Sequence, residues 1–342
     1  MGWLSSIAAL GFLIFFHELG HFLAARACGV GVEVFSIGFG RKLWHKRLGN
    51  TQYALSLIPL GGYVKLKGQE SQVESSDSYL NQPPLKKLVI LSMGPLFNLL
   101  LAFGIYLGVG LVGHTSLAPV VGALTPEMPA IKNGIKVGDR IVAVNGVAIR
   151  DWEELFKAIQ HTQGSITLKI KRNHLLNITL TPTPKTTQNA FKEPVQTKLI
   201  GIAPAKEQVW VRYGFLESTQ RAFSQLVEMC TLIIKGIGKL FMGVVNVSEI
   251  SSVVGIVDFM AHQQSLALLL SIAFISINLG ILNLLPIPIL DGGQMVIVLL
   301  ESLTGRKLKP AYIEKLNLLG LVLLVVLMAL GLFNDVHRLM GY

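Results

Sequence analysis

The sequence predicts a polytopic α-helical membrane protein with four transmembrane helices, a membrane-associated β-hairpin sheet and an inserted soluble α+β domain. Three observations support this fold class. Of the 342 residues, 51% are hydrophobic and 15% are charged, whereas soluble domains carry about 25% charged residues. Four apolar runs have the roughly 20 residues that a helix needs to cross a bilayer. Between these runs lie segments with the residue alternation of β-strands.

The four apolar runs define the predicted spans. A cleaved signal peptide fits the first run poorly, because no basic residues precede it and no small-residue cleavage site follows it. The two cysteines, Cys28 and Cys230, cannot form a disulfide framework. The predicted spans cover residues 2–25, 88–113, 265–290 and about 316–334.

The basic residues predict the orientation. Nine Lys and Arg residues lie within 25–88, and the loop between the third and fourth runs contains Arg306, Lys307 and Lys309. Basic residues gather in cytoplasmic loops, so we expect both termini and the long segment 114–264 on the outer side. The net charge of +10 is then explained by membrane topology, and no nucleic-acid partner is expected.

The first part of the chain, 1–114, combines the first two spans with a predicted β region at about 31–67. Residues 32–39 and 53–60 are apolar and strand-like, and Gly49-Asn50 predicts a turn between two strands. Strand edges cannot face lipid. The sheet is therefore expected to pack against protein or to line a wet cavity.

Residues 115–185 predict a compact domain outside the membrane. Asp151, followed by two glutamates, starts a helix, and Asn173-His174 predicts a β-hairpin. The stretch "GDRIVAVNG" resembles a PDZ domain, a fold that binds extended peptides as an added strand. The alternative is a spacer that binds nothing.

Residues 186–264 are predicted to form an amphipathic helical region at the membrane surface. The helical pattern runs from Trp210 to about Val247, with charged residues between apolar positions. Lys235 and Lys239 lie on one face in its middle, which favours a helix in the membrane interface. The alternative is a fifth span, which would place the C-terminus inside. The last part, 265–342, holds the final two spans.

Two histidines and a glutamate interrupt the first span. His17-Glu18-Leu19-Gly20-His21 matches H-E-x-x-H, in which histidines four residues apart share a helix face and can bind one metal ion. Glu18 can accept a proton from water acidified by zinc. Ionisable side chains cost about 2.5–3.5 kcal/mol at the centre of a span and therefore indicate function. The alternative is a set of polar side chains that hold helices together.

A catalytic zinc ion needs a third protein ligand. Asp291 ends the third apolar run and lies towards the same side of the membrane as the histidines, because both runs lead inward. Pro286 and Pro288 interrupt the helix before it, and broken helices at membrane depth line cavities. Asp291 is the candidate third ligand; alternatively, it only ends a span.

Three motifs together resemble the site-2 protease family of intramembrane zinc metalloproteases. They are His17-Glu18-x-x-His21, Gly94-Pro95-x-x-Asn98, and Asn283-x-x-Pro286 with Leu290-Asp291-Gly292. "GFGRKL" at 38–43, "PLGGYVKL" at 59–66 and the PDZ-like insertion resemble the bacterial branch typified by the regulator-of-sigma-E protease. That branch often carries two tandem PDZ domains, and this chain has room for one.

The resemblance implies Zn²⁺ bound by His17, His21 and Asp291, with Glu18 as general base. It also implies that β-structure around the GFG stretch clamps an unwound substrate and that asparagines in the spans contact its backbone or the developing oxyanion. For these buried amides, hydrogen bonding between helices is the alternative. The implied substrate contacts are Gly38, Phe39, Gly40, Asn98, Asn278 and Asn283.

The implied function is regulated intramembrane proteolysis in a bacterial inner membrane, with both termini in the periplasm. The implied partners are the lipid bilayer and single-span substrates, such as an anti-sigma factor already cut outside, in envelope stress signalling, or a remnant signal peptide. Two other classes compete. A non-catalytic scaffold could bind exported peptides through the PDZ-like domain. A metal transporter could also place His and Asp in its spans, although transporters usually contain internal repeats and none is visible here.

Overall fold

The computed structural model describes residues 2–69, 73–189, 191–244, 246, 248, 251–263 and 265–340. The chain forms two compact units, one of Gly108–Ser218 and one of Met1–Leu107 with Thr219–Tyr342. The helices in the described residues are α1 (Gly2–Ala27), α2 (Pro84–Val112), α3 (Pro129–Lys132), α4 (Trp152–His161), α5 (Phe215–Phe241), α6 (Val253–Ala261), α7 (Ser265–Asn283), α8 (Asp291–Thr304) and α9 (Pro310–Leu339).

Four of these helices, α1, α2, α7 and α9, are long and apolar enough to cross a membrane. The predicted polytopic architecture is therefore confirmed, and the chain is a membrane protein that also contains β-sheet. The third predicted span is shorter than expected, because its helix ends at Asn283. Pro286 and Pro288 follow, and proline cannot continue a helix without losing a backbone hydrogen bond. Asp291 starts a separate helix.

Glycines bring α1, α2 and α7 close together. A Cβ on Gly20 of α1 would lie 2.2 Å from the carbonyl oxygen of Met93 in α2, and a Cβ on Gly280 of α7 would lie 3.0 Å from that of Pro95. Small residues allow such close backbone contact between membrane helices. Further along the helices, an apolar cluster that includes Ala102 and Ile277 joins α2, α5 and α7.

Twelve strands complete the described elements, and the first two form the sheet beside α1. Aromatic rings join helix and sheet: the ring centroids of Phe22 and Phe35 are 4.9 Å apart. The strands are β1 (Val32–Leu48), β2 (Thr51–Leu66), β3 (His114–Leu117), β4 (Val121–Leu124), β5 (Arg140–Val144), β6 (Val147–Ala148), β7 (Ile166–Lys171), β8 (Leu175–Leu180), β9 (Thr183–Gln188), β10 (Pro194–Leu199), β11 (Ile202–Pro204) and β12 (Gln208–Val211).

Strands β1 and β2 pair around the predicted turn, with Leu48 opposite Thr51. Both strands bend, so four segments lie side by side in the order 44–47, 52–55, 34–37 and 62–65. Residues 34–37 are paired with 52–55 and also with 62–65, and 52–55 are paired in addition with 44–47. The segment 62–66 is therefore an outer edge, paired on one side only among the described strands. Edges of this kind can accept another chain as an added strand.

The unit Gly108–Ser218 has its own core. Its largest sheet has the order β6-β5-β7-β8, and the predicted hairpin is present, with Lys171 opposite Leu175. Asp151 caps α4 by accepting a hydrogen bond from the Glu154 N–H, as predicted. Ile141, Leu155 and Leu168 are buried between the helix and the sheet.

Residues 186–211 differ from the helical region expected there. They contribute β10, β11 and β12, which pair with β9, β4 and β3. Trp210 lies in β12 opposite Thr115, and α5 starts only at Phe215. Because these strands are rich in polar residues, the alternation of apolar and polar residues that predicts a strand is weak here. The expected helix end, Val247, lies outside the described residues.

Candidate metal and catalytic site

The H-E-x-x-H motif lies in the second half of α1, where the spacing of four residues places both imidazoles on one face. Their Nε2 atoms are 3.1 Å apart. Oδ2 of Asp291 lies 3.1 Å from Nε2 of His17 and 3.3 Å from Nε2 of His21. The structure thus brings the two histidines together with Asp291, which follows them in the sequence by about 270 positions.

These three atoms fit a tetrahedral zinc ion. Ligands at bond lengths of about 2.0–2.1 Å would be about 3.3 Å apart, which matches the observed separations. Oδ2 of Asp291 is buried and has no hydrogen-bond partner within the described part of the chain. A buried carboxylate oxygen facing two imidazole nitrogens needs a compensating charge. Two nitrogens and one carboxylate oxygen are also a usual catalytic zinc set.

A tightly folded turn holds Asp291 in place. Residues 284–290 leave the helical conformation between α7 and α8, and Ile289 has a φ of 83°, which is rare for a β-branched residue. A Cβ on Gly292 or Gly293 would lie 2.2 or 2.1 Å from a carbonyl oxygen of this turn. The two glycines therefore let the turn close over the start of α8, where Asp291 reaches the histidines.

Helix α2 supplies no ligand but contacts both histidines. Nδ1 of His21 donates a hydrogen bond to the Ile90 carbonyl oxygen at 2.8 Å, and Nδ1 of His17 lies 3.2 Å from the side-chain nitrogen of Asn98. Between these two contacts, a Cβ on Gly94 would lie 2.2 Å from Nε2 of His21 and 2.8 Å from Nε2 of His17. No side chain fits at Gly94 while both imidazoles keep these positions.

Glu18 lies next to the outer edge of the β1–β2 sheet. A Cβ on Gly62 would be 3.2 Å from Cγ of Glu18, and Glu18 is half-buried. The carboxylate thus follows directly after one candidate ligand and lies beside the strand segment 62–66. This position allows it to act on a peptide that lies along that edge.

The other expected substrate contacts are distributed over the sheet and α7. Phe39 is 46% exposed, and it lies between Gly38 and Gly40, which have φ values of 87° and 83°. Asn278 and Asn283 are partly buried. Five residues in a helix correspond to a rotation of about 140°, so these two asparagines do not share a face of α7.

Sequence reasoning did not give a role to two groups on α2, the glycine at 94 and the carbonyl of Ile90. The available signal was a glycine and a proline in the middle of an apolar span, where both weaken a helix. A backbone carbonyl group, in contrast, is present in every residue, so the residue types do not indicate its role.

Comparison with known proteins agrees with the chemistry of this site. Residues 5–327 match the model of peptidase family M50. A Helicobacter pylori J99 protein assigned by name as a zinc metalloprotease is 43% identical over 98% of this chain and 99% of its own. One of Campylobacter jejuni is 41% identical over 99% and 94%, and the protease RseP of Yersinia pestis is 28% identical over 97% and 98%. The chain therefore belongs to peptidase family M50, the site-2 proteases, which are zinc metalloproteases.

Proposed function

We propose that this metalloprotease binds Zn²⁺ through His17, His21 and Asp291 and cleaves peptide bonds within the membrane, with Glu18 as general base. The observation that carries the proposal is the convergence of three donor atoms, 3.1–3.3 Å apart, beside a half-buried glutamate. Two of the donors lie in a helix apolar enough to span a membrane.

The reaction follows from the position of Glu18. When bound, zinc supplies a Lewis acid that polarises the scissile carbonyl group and acidifies water. Glu18 accepts the proton of the attacking water, and the hydroxide oxygen forms a bond to the carbonyl carbon. The C–N bond then breaks, and Glu18 delivers the proton to the leaving amine nitrogen. A positioned base of this kind contributes about 10²–10⁴-fold to the rate.

The substrate has to be extended before this attack, because the amides of a helix are hydrogen-bonded along its own axis. We propose that the edge 62–66 pairs with the extended segment and holds it beside Glu18. The neighbouring bend at Gly38, Phe39 and Gly40 would complete the clamp. Asn278 and Asn283 would donate hydrogen bonds to the substrate backbone or to the developing oxyanion.

The proposed substrates are single-span membrane proteins, such as an anti-sigma factor shortened by an earlier cut outside the membrane, or remnant signal peptides. This assignment is supported by the similarity to RseP of Yersinia pestis over nearly the whole chain. We propose a bacterial inner membrane as the location, with both termini in the periplasm, because the most basic loops then lie in the cytoplasm.

The unit Gly108–Ser218, which contains the expected segment 115–185 together with β10, β11 and β12, is proposed to be a PDZ-like domain that screens substrates. It contains a cavity of about 290 Å³ whose lining includes Trp152, Ile159 and Gly201. Gly201 lies in the turn between β10 and β11 and has a φ of 85°. A groove between α4 and such a turn suits an extended peptide. Alternatively, the unit only excludes bulky substrates or acts as a spacer.

The test compares wild type with Glu18→Gln, both purified in detergent. We expect both proteins to bind one equivalent of zinc and only wild type to cleave a membrane-spanning peptide, since the amide cannot accept the proton. Cleavage by Glu18→Gln at the wild-type rate would refute the role of Glu18. Zinc uptake without cleavage by wild type, with release across vesicles, would favour a transporter.

A further inference from the structure

We infer that Asn98 is a positioning residue for the metal site: its side-chain oxygen accepts a hydrogen bond from Nδ1–H of His17 and thereby leaves Nε2 free to bind zinc. The inference rests on the proposed role of His17 as a ligand. It gives Asn98 a function different from the substrate contact implied by the family resemblance.

His21 shows which tautomer a histidine ligand needs. A neutral imidazole carries one proton, so a ligand that binds through Nε2 must carry that proton on Nδ1. In His21 the proton is held there by the Ile90 carbonyl oxygen at 2.8 Å, which can only accept. Metal-binding histidines generally donate their other N–H to such a group.

Asn98 occupies the equivalent place at His17. Its carboxamide is the group within hydrogen-bond distance of Nδ1, with the nitrogen at 3.2 Å, and its oxygen is buried without a partner among the described residues. A carboxamide keeps its shape when it turns by 180°. With the nitrogen towards Nδ1, His17 would need its proton on Nε2 and could not bind a metal. With the oxygen towards Nδ1, Nε2 presents its lone pair.

The packing around Asn98 argues against direct contact with a substrate. Asn98 is 0% exposed. Its backbone carbonyl oxygen accepts a hydrogen bond from the hydroxyl of Ser276 at 2.8 Å, and a Cβ on Gly280 would lie 3.4 Å from the Cβ of Asn98. Helix α7 therefore covers this turn of α2. A peptide could reach the carboxamide only if helices moved apart.

Zinc affinity of the full-length protein, measured by competition with a chelator, tests the inference. Asn98→Leu keeps the size of the side chain but cannot accept a hydrogen bond, and we expect it to bind zinc about 10–100-fold more weakly. Asn98→Asp keeps an acceptor of the same shape and should bind zinc within a few-fold of wild type. Ser276→Ala is the matched control, because it alters the same buried layer without touching a histidine, and its zinc affinity should not change.

Two outcomes would overturn the inference. One is wild-type zinc affinity in Asn98→Leu. The other is equal weakening in Asn98→Asp and Asn98→Leu, which would indicate a packing role. Asn98→Ala is interpreted in the same way if the leucine variant does not fold, and folding is checked by thermal unfolding of the zinc-free proteins. His17→Ala separates this inference from the proposed function: retention of zinc by His17→Ala would refute the ligand assignment itself.

Discussion

Replacing Gly94 with alanine should remove zinc and leave the helix bundle folded. The added Cβ would lie 2.2 Å from Nε2 of His21. Contacts of a Cβ below 3.0 Å essentially do not occur, so the imidazole must move by at least about 0.8 Å. Metal–ligand distances tolerate changes of about 0.2 Å. The required displacement is therefore about four times larger than the site allows.

The substitution should lower the zinc affinity and not the stability of the fold, because the atom that must move is the far end of a side chain. Moving it also strains the hydrogen bond from His21 to the Ile90 carbonyl. We expect zinc affinity to fall about 100-fold or more, beyond the 10–100-fold cost of losing one outer hydrogen bond. The zinc-free variant should unfold within about 1 kcal/mol of wild type, because alanine favours a helix over glycine by a similar amount.

Gly104→Ala is the matched control for this experiment. Gly104 lies in the same helix, and a Cβ there would meet no atom within 4 Å. It gains the same helix propensity and should keep wild-type zinc affinity. The measurement is zinc competition with a chelator in detergent, combined with thermal unfolding. Wild-type zinc affinity in Gly94→Ala would show that the metal does not lie between these histidines.

Two further predictions concern stability. Asp335 is 2% exposed and accepts hydrogen bonds from Ser252 and from the N–H of Gly255 at the start of α6; Asp335→Ala should destabilise the docking of α6 by about 1–3 kcal/mol, seen as faster hydrogen exchange in α6. Burial raises the pKa of Asp139, but hydrogen bonds and charge from Arg172 and an N–H outweigh burial and lower it overall. Its stabilising effect is thus complete above about pH 4, the unfolded value, and is lost as pH falls through the lower folded pKa. The protection factors of the amides in β5 and β7, taken relative to the intrinsic exchange rate at each pH, should therefore fall there.

Matched variants distinguish the predicted effects of Asp335 and Asp139 from a general loss of stability. Asp258→Asn changes an acid within α6 itself, one whose side chain is partly exposed, and should leave exchange in α6 unchanged. Arg140→Gln breaks a solvent-exposed ion pair with Glu207, which should contribute less than about 1 kcal/mol. Asp139→Asn should lose the acid-dependent step. An acid transition of the same size in Asp139→Asn would assign it to other carboxylates.

The sequence predicted the candidate ligands, which the structure brings together, more completely than it predicted their surroundings. His17 and His21 follow from helix periodicity alone, and Asp291 follows from the cost of a carboxylate near an apolar run. Pro286 and Pro288 correctly predicted a broken helix. The strands of 194–211 were not predicted, because their partners lie in β3, β4 and β9 and their alternation is weak. Pairings between distant segments depend on tertiary contacts, which one-dimensional patterns do not contain.

The contribution of α2 explains why its G-P-x-x-N motif contains no titratable residue. Without a hydrophobic driving force between helices in lipid, distances between membrane helices depend on close packing. Gly20 lets α1 approach the Met93 carbonyl, and Gly94 leaves the space in front of the imidazoles open. At that short distance, the Ile90 carbonyl oxygen accepts a hydrogen bond from Nδ1–H of His21, and the Asn98 side-chain oxygen is placed to accept one from His17, as inferred above. In the proposed zinc site, the H-E-x-x-H motif on α1 therefore supplies two of the three ligand atoms, and the packing of α2 sets their proposed protonation and their spacing.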